Sequence, residues 1–188
     1  MNTLNLEFSP LNTHGWFSHS ARIGYAASFA DGFTGTNAYL ANQIKETYNK
    51  PTFIINNFLN QEQIEVSNSI YERKQLNVSQ KSDFKIGYFS GTPSHANDFD
   101  KIAPEIRDLL HTYPHMQLVI VGFMEFPEYL EDLVNAKRIT HHPLVDFLTL
   151  QEKISEVDVN IVPLVDNEFT NCKSELKFFE AAIVGTIT

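Results

Sequence analysis

The sequence contains a single cysteine, Cys172, among 188 residues. One cysteine cannot form a disulfide within the chain, which excludes a disulfide-stapled secreted scaffold and predicts a reducing, cytoplasmic setting. The longest apolar run, within residues 116–123, is far shorter than the roughly 20 residues that a membrane-spanning helix requires. The sequence therefore predicts a cytoplasmic protein and leaves peripheral contact with a membrane open.

Basic residues are also scarce. The chain has 14 Lys and Arg against 23 Asp and Glu, which gives a formal net charge of −9. Without a basic stripe, a general nucleic-acid binder is excluded, although a local cluster of lysines can still bind a phosphate. The hydrophobic content of 43% is enough for a packed core, and the length fits one domain or one domain with part of another.

A polar stretch divides the chain into two parts. Residues 59–83 are rich in Asn, Gln, Ser, Glu and Lys, and they predict a linker with at least one helical turn at 64–73. Residues 1–58 precede it as a partial α/β piece. Residues 84–188 follow as the main domain, which we expect to be truncated at its C-terminus because a stub of a further strand follows Gly185.

The main domain alternates apolar runs, which predict strands, with segments of helical apolar spacing. Such alternation with short loops favours an α/β fold, a Rossmann-like parallel sheet with helices on both faces. Its predicted strands are 84–90, 116–121, 138–141 and 159–164, and its predicted helices are 99–110, 126–134, 147–157 and 172–183. The earlier piece has predicted helices at 20–31 and 37–48 and strands at 33–34 and 52–56.

Three polar loops follow predicted strands, at 90–95, 122–125 and 165–174. In parallel sheets the carboxyl ends of the strands share one edge, and ligands bind there. We therefore expect these loops to form one edge that carries a binding site.

The first of these loops offers a glycine and several polar groups. Gly91 permits the backbone to approach a ligand, and Thr92 supplies a hydroxyl. His95 can donate to a phosphate or sugar oxygen, or act as an acid or base. The alternatives are an ordinary turn and a histidine that makes only local hydrogen bonds.

Asn171 is the predicted N-cap of the last helix. This cap leaves Cys172, Lys173 and Ser174 in the first turn, where free backbone N–H groups suit a phosphate. The same position predicts a lowered pKa for the Cys172 thiol, although no partnered base for a catalytic cysteine is identifiable.

Lys173, Lys177 and Glu180 are spaced so that they share one polar face of that helix. Two cations followed by a carboxylate suit a ligand that carries both phosphate and hydroxyls. A solvated helix face with an ordinary Lys–Glu pair is the alternative. The neighbouring His141 and His142 have no third ligand at metal-like spacing, so no metal site is predicted.

Taken together, these runs resemble a known family. The motifs are IGYFSGTPSH from Ile86, LVIVG ending at Gly122, DVNIVPL from Asp158 and KSELKFFEA from Lys173. They resemble the C-terminal domain of group 1 glycosyltransferases, retaining enzymes of the two-domain GT-B fold, and most closely the bacterial surface-polysaccharide and O-antigen transferases. The earlier ADGFT and FIINN runs resemble the end of that family's N-terminal domain.

The resemblance implies a hexosyltransferase-like enzyme, of which this chain is the donor-binding portion. It would move a sugar from a nucleoside-diphosphate sugar to a glycan or lipid-linked acceptor, without a metal or other cofactor, in the cytoplasm or at the inner membrane. The resemblance implies ribose binding by Glu180. It implies that residues 172–174 meet the diphosphate, that Lys173 and Lys177 offset its charge, and that Gly91 and Thr92 approach it from the opposite side. The donor-binding residues are thus Gly91, Thr92, His95, Asn171, Lys173, Ser174, Lys177 and Glu180.

Two features depart from the family pattern. Many members carry a second glutamate where this chain has Cys172, and the usual Arg and Lys after the first strand are absent from residues 90–97. A non-catalytic α/β module that binds a nucleotide or a protein partner is therefore the alternative function. Fold alone does not decide between the two.

Overall fold

A computed structural model describes residues 10–76, 83–91 and 96–188, apart from the side chains of residues 10–14, 16, 96 and 97. The chain forms two compact units. The first consists of Met1–Asn57 and Asp166–Ser174, and the second of Phe58–Val165 and Glu175–Thr188. Residues 166–174 thus belong to the first unit, although both of their chain neighbours belong to the second.

The first unit contains a two-stranded parallel sheet and three helices within its described residues. Its elements are α1 (Pro10–Phe29), β1 (Phe33–Gly35), α2 (Ala38–Tyr48), β2 (Thr52–Ile54) and α8 (Glu168–Asn171). The sequence offers Thr36 or Asn37 as the cap of α2, and the structure uses Asn37, whose side chain accepts the Leu40 N–H at 2.8 Å. Helix α1 begins ten residues earlier than the predicted 20–31. Proline is well suited to its first turn.

The second unit contains a four-stranded parallel sheet, which confirms the predicted α/β class. Its strands are β3 (Phe84–Ser90), β4 (Met116–Gly122), β5 (Ile139–His142) and β6 (Val159–Asn160). Its helices are α3 (Gln61–Leu76), α4 (Ala96–Asp100), α5 (Ala103–Thr112), α6 (Glu131–Asn135), α7 (Phe147–Ser155) and α9 (Leu176–Ile183), with a 3₁₀ turn at Glu128–Leu130.

Helices cover both faces of this sheet. On one face, Tyr88 and Ile120 pack in a buried cluster with α5 and with Leu130 and Leu133. On the other face, Val119 and its neighbours pack against α3, α7 and α9. Strands buried on both faces read as continuous apolar runs, which is why β3 and β4 could be predicted from the sequence.

Residues 59–76 were predicted to be mostly linker, but they belong to the second unit, as does Phe58 before them. There α3 packs against α7 and α9, with Ile70 only 3% exposed. The helical turn predicted at 64–73 is confirmed as part of this 16-residue helix.

The last predicted strand, 159–164, is shorter in the structure. Strand β6 ends at Asn160, although the Ile161 N–H still donates to the Gly87 carbonyl at 2.9 Å. Pro163 has no N–H to extend the ladder, and the Val165 N–H donates instead to the Asp98 carboxylate at 3.2 Å. The Asn160 N–H donates to Ile187 at 2.7 Å, so a further parallel bridge lies beside β6.

Arg138 fastens the amino-terminal edge of the sheet to the end of α5. Its guanidinium donates to the carbonyls of Leu110 at 2.7 Å, Tyr113 at 2.8 Å and Met116 at 2.6 Å. These carbonyls lie at the end of a helix and the start of a strand, where regular backbone partners run out, although the Tyr113 carbonyl also accepts the Met116 N–H at 3.0 Å. One Arg138 side chain therefore donates hydrogen bonds to three backbone carbonyls.

We expect Arg138→Met to destabilise the second unit by about 2–3 kcal/mol, because several charge-assisted hydrogen bonds are lost and the part-buried carbonyls of Leu110 and Met116 lose their side-chain donor. Chemical denaturation followed by circular dichroism measures this change. Arg73→Met is the matched control, since Arg73 forms an exposed ion pair with Glu152 whose loss should cost at most about 0.5 kcal/mol. Equal effects of the two substitutions would contradict the bracing role of Arg138.

Candidate functional site

The strand order of the second unit creates a switch point. Along the sheet the strands are ordered β5-β4-β3-β6. After β3 the chain adds β4 and β5 on one side of it, and then crosses back to place β6 on its other side. In parallel sheets of this kind ligands bind at the carboxyl ends of the strands where the order reverses. The expected crevice therefore lies beyond Ser90 of β3 and Asn160 of β6.

Gly91 lies directly at this edge. It is exposed, and a side chain added there would meet no atom within 4 Å. Backbone at this position can therefore approach a bound group closely. Thr92 and His95, which the sequence analysis placed in the same loop, lie outside the described residues.

The first turn of α9 is joined to the same edge. The Lys177 ammonium donates to the Phe89 carbonyl, one residue before β3 ends. From β6, the Asn160 side-chain amide donates to the Lys177 carbonyl at 3.5 Å. Sequence analysis did not select Asn160, although a buried asparagine within an apolar strand is the signal that could have identified it.

Glu180 follows Lys177 by three residues, so the two side chains share a face of α9. Burial of the Glu180 carboxyl raises its pKa, and the Lys177 charge offsets part of that rise. A half-buried carboxylate is costly unless it accepts hydrogen bonds. Hydroxyl groups of a ligand would supply such bonds.

The predicted cap of this helix was wrong. Asn171 is the last residue of the short helix α8, whose N-cap is Asn167, while α9 begins at Leu176 after Glu175. The physical reason is a capping box, in which the Asn167 and Thr170 side chains each accept the other residue's N–H. This box starts a separate helix four residues earlier than the sequence analysis placed one.

Residues Cys172 and Lys173 consequently lie outside the first turn of α9. Their N–H groups donate to the Phe169 and Thr170 carbonyls at 3.2 and 3.0 Å. These N–H groups are therefore engaged within the first unit. The phosphate cradle expected at residues 172–174 is not formed in this arrangement.

Within the first unit this segment is attached to the start of α2. The Asn37 amide donates to the Asn171 carbonyl at 3.0 Å and to the Lys173 carbonyl at 2.8 Å. Ser174 accepts a hydrogen bond from the Asn57 amide at 2.8 Å. The Lys173 ammonium lies 5.1 Å from the centre of the Phe169 ring, within cation–π distance.

The predicted donor-binding residues thus divide between the two units. Asn171, Lys173 and Ser174 belong to the first, whereas Gly91, Lys177 and Glu180 belong to the second. The three residues of each group thus lie in the same unit as one another.

The pKa of Cys172 was predicted to be lowered, and this was wrong. Burial raises the pKa of the thiol, and the nearby Glu168 carboxylate raises it further. Cys172 lies at the C-terminal end of α8 rather than at a helix N-terminus, so the helix dipole does not favour a thiolate.

Two other side chains organise the same edge. The Nε2 atom of His141 lies 2.7 Å from the Gly122 carbonyl oxygen, at the end of β4. Buried Asp98 accepts the Val165 N–H, as described above, and lies near Tyr88.

Burial raises the pKa of the Tyr88 hydroxyl, and the charges of Asp98 and Asp100 add to the effect. Tyr88 is therefore a neutral core group.

Within residues 10–76, 83–91 and 96–188, no three histidine, cysteine or acidic side chains cluster in a way that could hold a metal ion. In the same ranges, no helix combines the length and apolar character needed to cross a membrane. No protein-family model matches the chain, and no curated protein matches it significantly. The fold and the geometry of its own residues are therefore the grounds for inferring its function.

Proposed function

We propose that the second unit binds a nucleoside-diphosphate sugar and that the chain is the donor-binding portion of a retaining glycosyltransferase. The observation that carries the proposal is the placement of Lys177 and Glu180. Lys177 reaches the end of β3 at the switch point of the sheet, and Glu180 adds a half-buried carboxylate on the same helix face. A cation and a carboxylate at such an edge suit a ligand that carries phosphate and ribose hydroxyls.

In this proposal Glu180 accepts hydrogen bonds from the two ribose hydroxyls. The carboxylate is partly removed from water before the ligand arrives, so each new hydrogen bond offsets an existing desolvation cost. The backbone at Gly91 approaches the diphosphate, because no side chain blocks it there. Lys177 contributes positive charge while its ammonium also holds the end of β3.

The chemistry proposed for the complete site is transfer of the sugar to a glycan or lipid-linked acceptor. Loss of the nucleoside diphosphate develops negative charge on its oxygens, and preorganised positive groups stabilise that charge. Lys177 is the residue of the second unit that serves this purpose. A surface polysaccharide made on the cytoplasmic side of a bacterial inner membrane is the acceptor class proposed.

A non-catalytic nucleotide-binding module is the second candidate. Two observations favour it: residues 90–97 contain no Lys or Arg, and the N–H groups of Cys172 and Lys173 already donate to helix carbonyls. A site with so few donors for a diphosphate would bind a nucleotide without activating it as a leaving group. Nucleotide binding without sugar transfer or donor hydrolysis would identify this function.

Calorimetric titration of the 188-residue chain with UDP, GDP and their hexose conjugates tests the proposal. We expect at least one of them to bind with a dissociation constant below about 1 mM, which corresponds to a binding free energy of about −4 kcal/mol. Inorganic diphosphate is the control ligand and should bind more weakly, because it cannot engage Glu180 through ribose. A folded sample that binds none of these nucleotides would contradict the proposal.

A further inference from the structure

Helix α3 holds the C-terminal end of α9. The Lys74 ammonium donates to the Gly185 carbonyl at 3.0 Å and to the Thr186 hydroxyl at 2.9 Å. That hydroxyl in turn donates to the Ile154 carbonyl of α7 at 2.8 Å. Through these bonds the residues that follow α9 are connected to two neighbouring helices.

Tyr71 completes the attachment from one turn earlier in α3. A side chain at Gly185 would lie 2.7 Å from the Tyr71 ring, so the ring occupies the space that glycine leaves open. Gly185 also has a φ of +66°, a left-handed conformation that favours glycine and ends the helix. Tyr71 and Lys74 are three residues apart, so one face of α3 makes both contacts.

The opposite end of α9 is held by the bond from Lys177 to the Phe89 carbonyl. Between the two ends, Ala181 is fully buried, and with Val184 it packs in the cluster that α9 shares with Ile70 of α3 and Ile154 of α7. Glu180 precedes it and therefore depends on both ends of this eight-residue helix for its position. Release of the hydrogen bonds that follow α9 would leave this apolar packing, which is not directional, as the main restraint on that end of the helix.

We propose that Tyr71 and Lys74 are positioning residues for the Glu180 carboxylate, an inference that rests on the proposed nucleotide function. Neither residue touches the nucleotide in this scheme. They fix the end of α9 so that the carboxylate meets both ribose hydroxyls in one geometry. Binding groups are held in productive geometry by supporting contacts of this type, and a small displacement weakens binding considerably.

A double-mutant cycle between Lys74 and Glu180 tests the inference. Affinity for UDP and GDP is measured by calorimetry for the wild type, Lys74→Met, Glu180→Ala and the double variant, each as the full chain. We expect Lys74→Met to weaken binding about tenfold in the wild-type background and less than about twofold when Glu180 is already replaced. Lys74→Arg should retain most of the affinity, because an arginine can still donate to both acceptors.

Arg73→Met is the matched control, since Arg73 neighbours Lys74 but pairs with Glu152 at the surface. It should leave the affinity unchanged. Denaturation midpoints show whether each variant is folded at the titration temperature. A merely structural role for Lys74 would lower the midpoint and give the same fold loss of affinity with or without Glu180.

The outcomes separate the two levels of the proposal. Tight binding by the wild type with no loss in Lys74→Met, or with equal losses in both backgrounds, overturns the positioning role and leaves the nucleotide site intact. Absence of binding by the folded wild type overturns both. Coupling between the two substitutions supports both.

Discussion

Replacing Gly122 with alanine is expected to destabilise the second unit by at least about 3 kcal/mol. Gly122 ends β4 with a φ of +107°, a conformation that residues with side chains rarely adopt. A side-chain carbon built there lies 1.8 Å from the Ser90 carbonyl oxygen, far closer than carbon and oxygen can approach without a bond. The same carbonyl accepts the Phe123 N–H at 3.2 Å, so it cannot withdraw without breaking that bond.

Denaturant unfolding monitored by circular dichroism measures this loss. Gly91→Ala is the matched control, because Gly91 follows β3 at the same edge and has open space around it. Its effect on the free energy of unfolding should stay within about 0.5 kcal/mol. A Gly122→Ala variant as stable as Gly91→Ala would show that β3 and β4 do not end side by side as described.

Replacing Glu180 with glutamine is expected to weaken nucleotide binding about tenfold to thirtyfold, because charge-assisted hydrogen bonds to the ribose become weaker neutral ones. Removal of a negative charge would by itself favour an anionic ligand, so a loss of affinity points to direct contact. Glu175→Gln is the control, since Glu175 is exposed at the start of the same helix and makes no side-chain capping bond. The Glu175→Gln variant should bind UDP or GDP as tightly as the wild type or slightly more tightly.

The same substitution should change stability in the opposite direction. The pKa of Glu180 is higher in the folded protein than in the unfolded chain, because burial disfavours the charged form. The wild type is therefore favoured at low pH and loses stability as the pH rises through the folded pKa, while glutamine does not titrate. We expect Glu180→Gln to be more stable than the wild type at pH 7, with the difference shrinking below the ordinary glutamate pKa of about 4.3.

Thermal unfolding of both proteins across this pH range checks the sign. A stability difference that stays constant with pH would mean that the Glu180 carboxyl is solvated in the folded state. A substitution that raises stability but weakens ligand binding is typical of a residue that destabilises the folded protein and is needed for function.

The sheet could be predicted from the sequence because its strands carry a strong local signal. Residues such as Leu118 and Ile120 are buried with their strand neighbours on both faces, so the central parts of β3 and β4, after Lys85 and Gln117, read as apolar runs. A cap of α2 at Thr36 or Asn37 could be predicted for a similar reason, since a threonine or asparagine before a helical pattern is a local signal.

Features that depend on distant partners could not be predicted. Helix α3 reads as a polar linker because buried Ser67 bonds to Gln151 of α7, a polar contact that no local period reveals. The apolar run 159–164 reads as a longer strand than the observed β6, because nothing local shows that the chain leaves the sheet and that the Val165 N–H bonds to Asp98, 67 residues away. Asn171 reads as a cap because it precedes a helical pattern, whereas the Asn167–Thr170 box and the Asn37 amide fix this segment elsewhere.

The candidate site shows the same division. Lys177 and Glu180 could be selected from helical spacing and the family resemblance, since both lie on one face of one helix. Their surroundings could not, because the Phe89 carbonyl and the Lys74 bridge to Gly185 come from distant parts of the chain. Sequence spacing thus identified the helix face, and the fold determines what that face meets.

Mapping of the ligand onto the sheet by NMR tests the central claim most directly. Amide chemical shifts of the full chain are followed while UDP or GDP is added. The account predicts that Gly91, Lys177 and Glu180, at the carboxyl edge or on α9, shift with one dissociation constant while His115 and Arg138 at the opposite edge do not. Saturable shifts confined to the opposite edge, or none at the carboxyl edge, would contradict it.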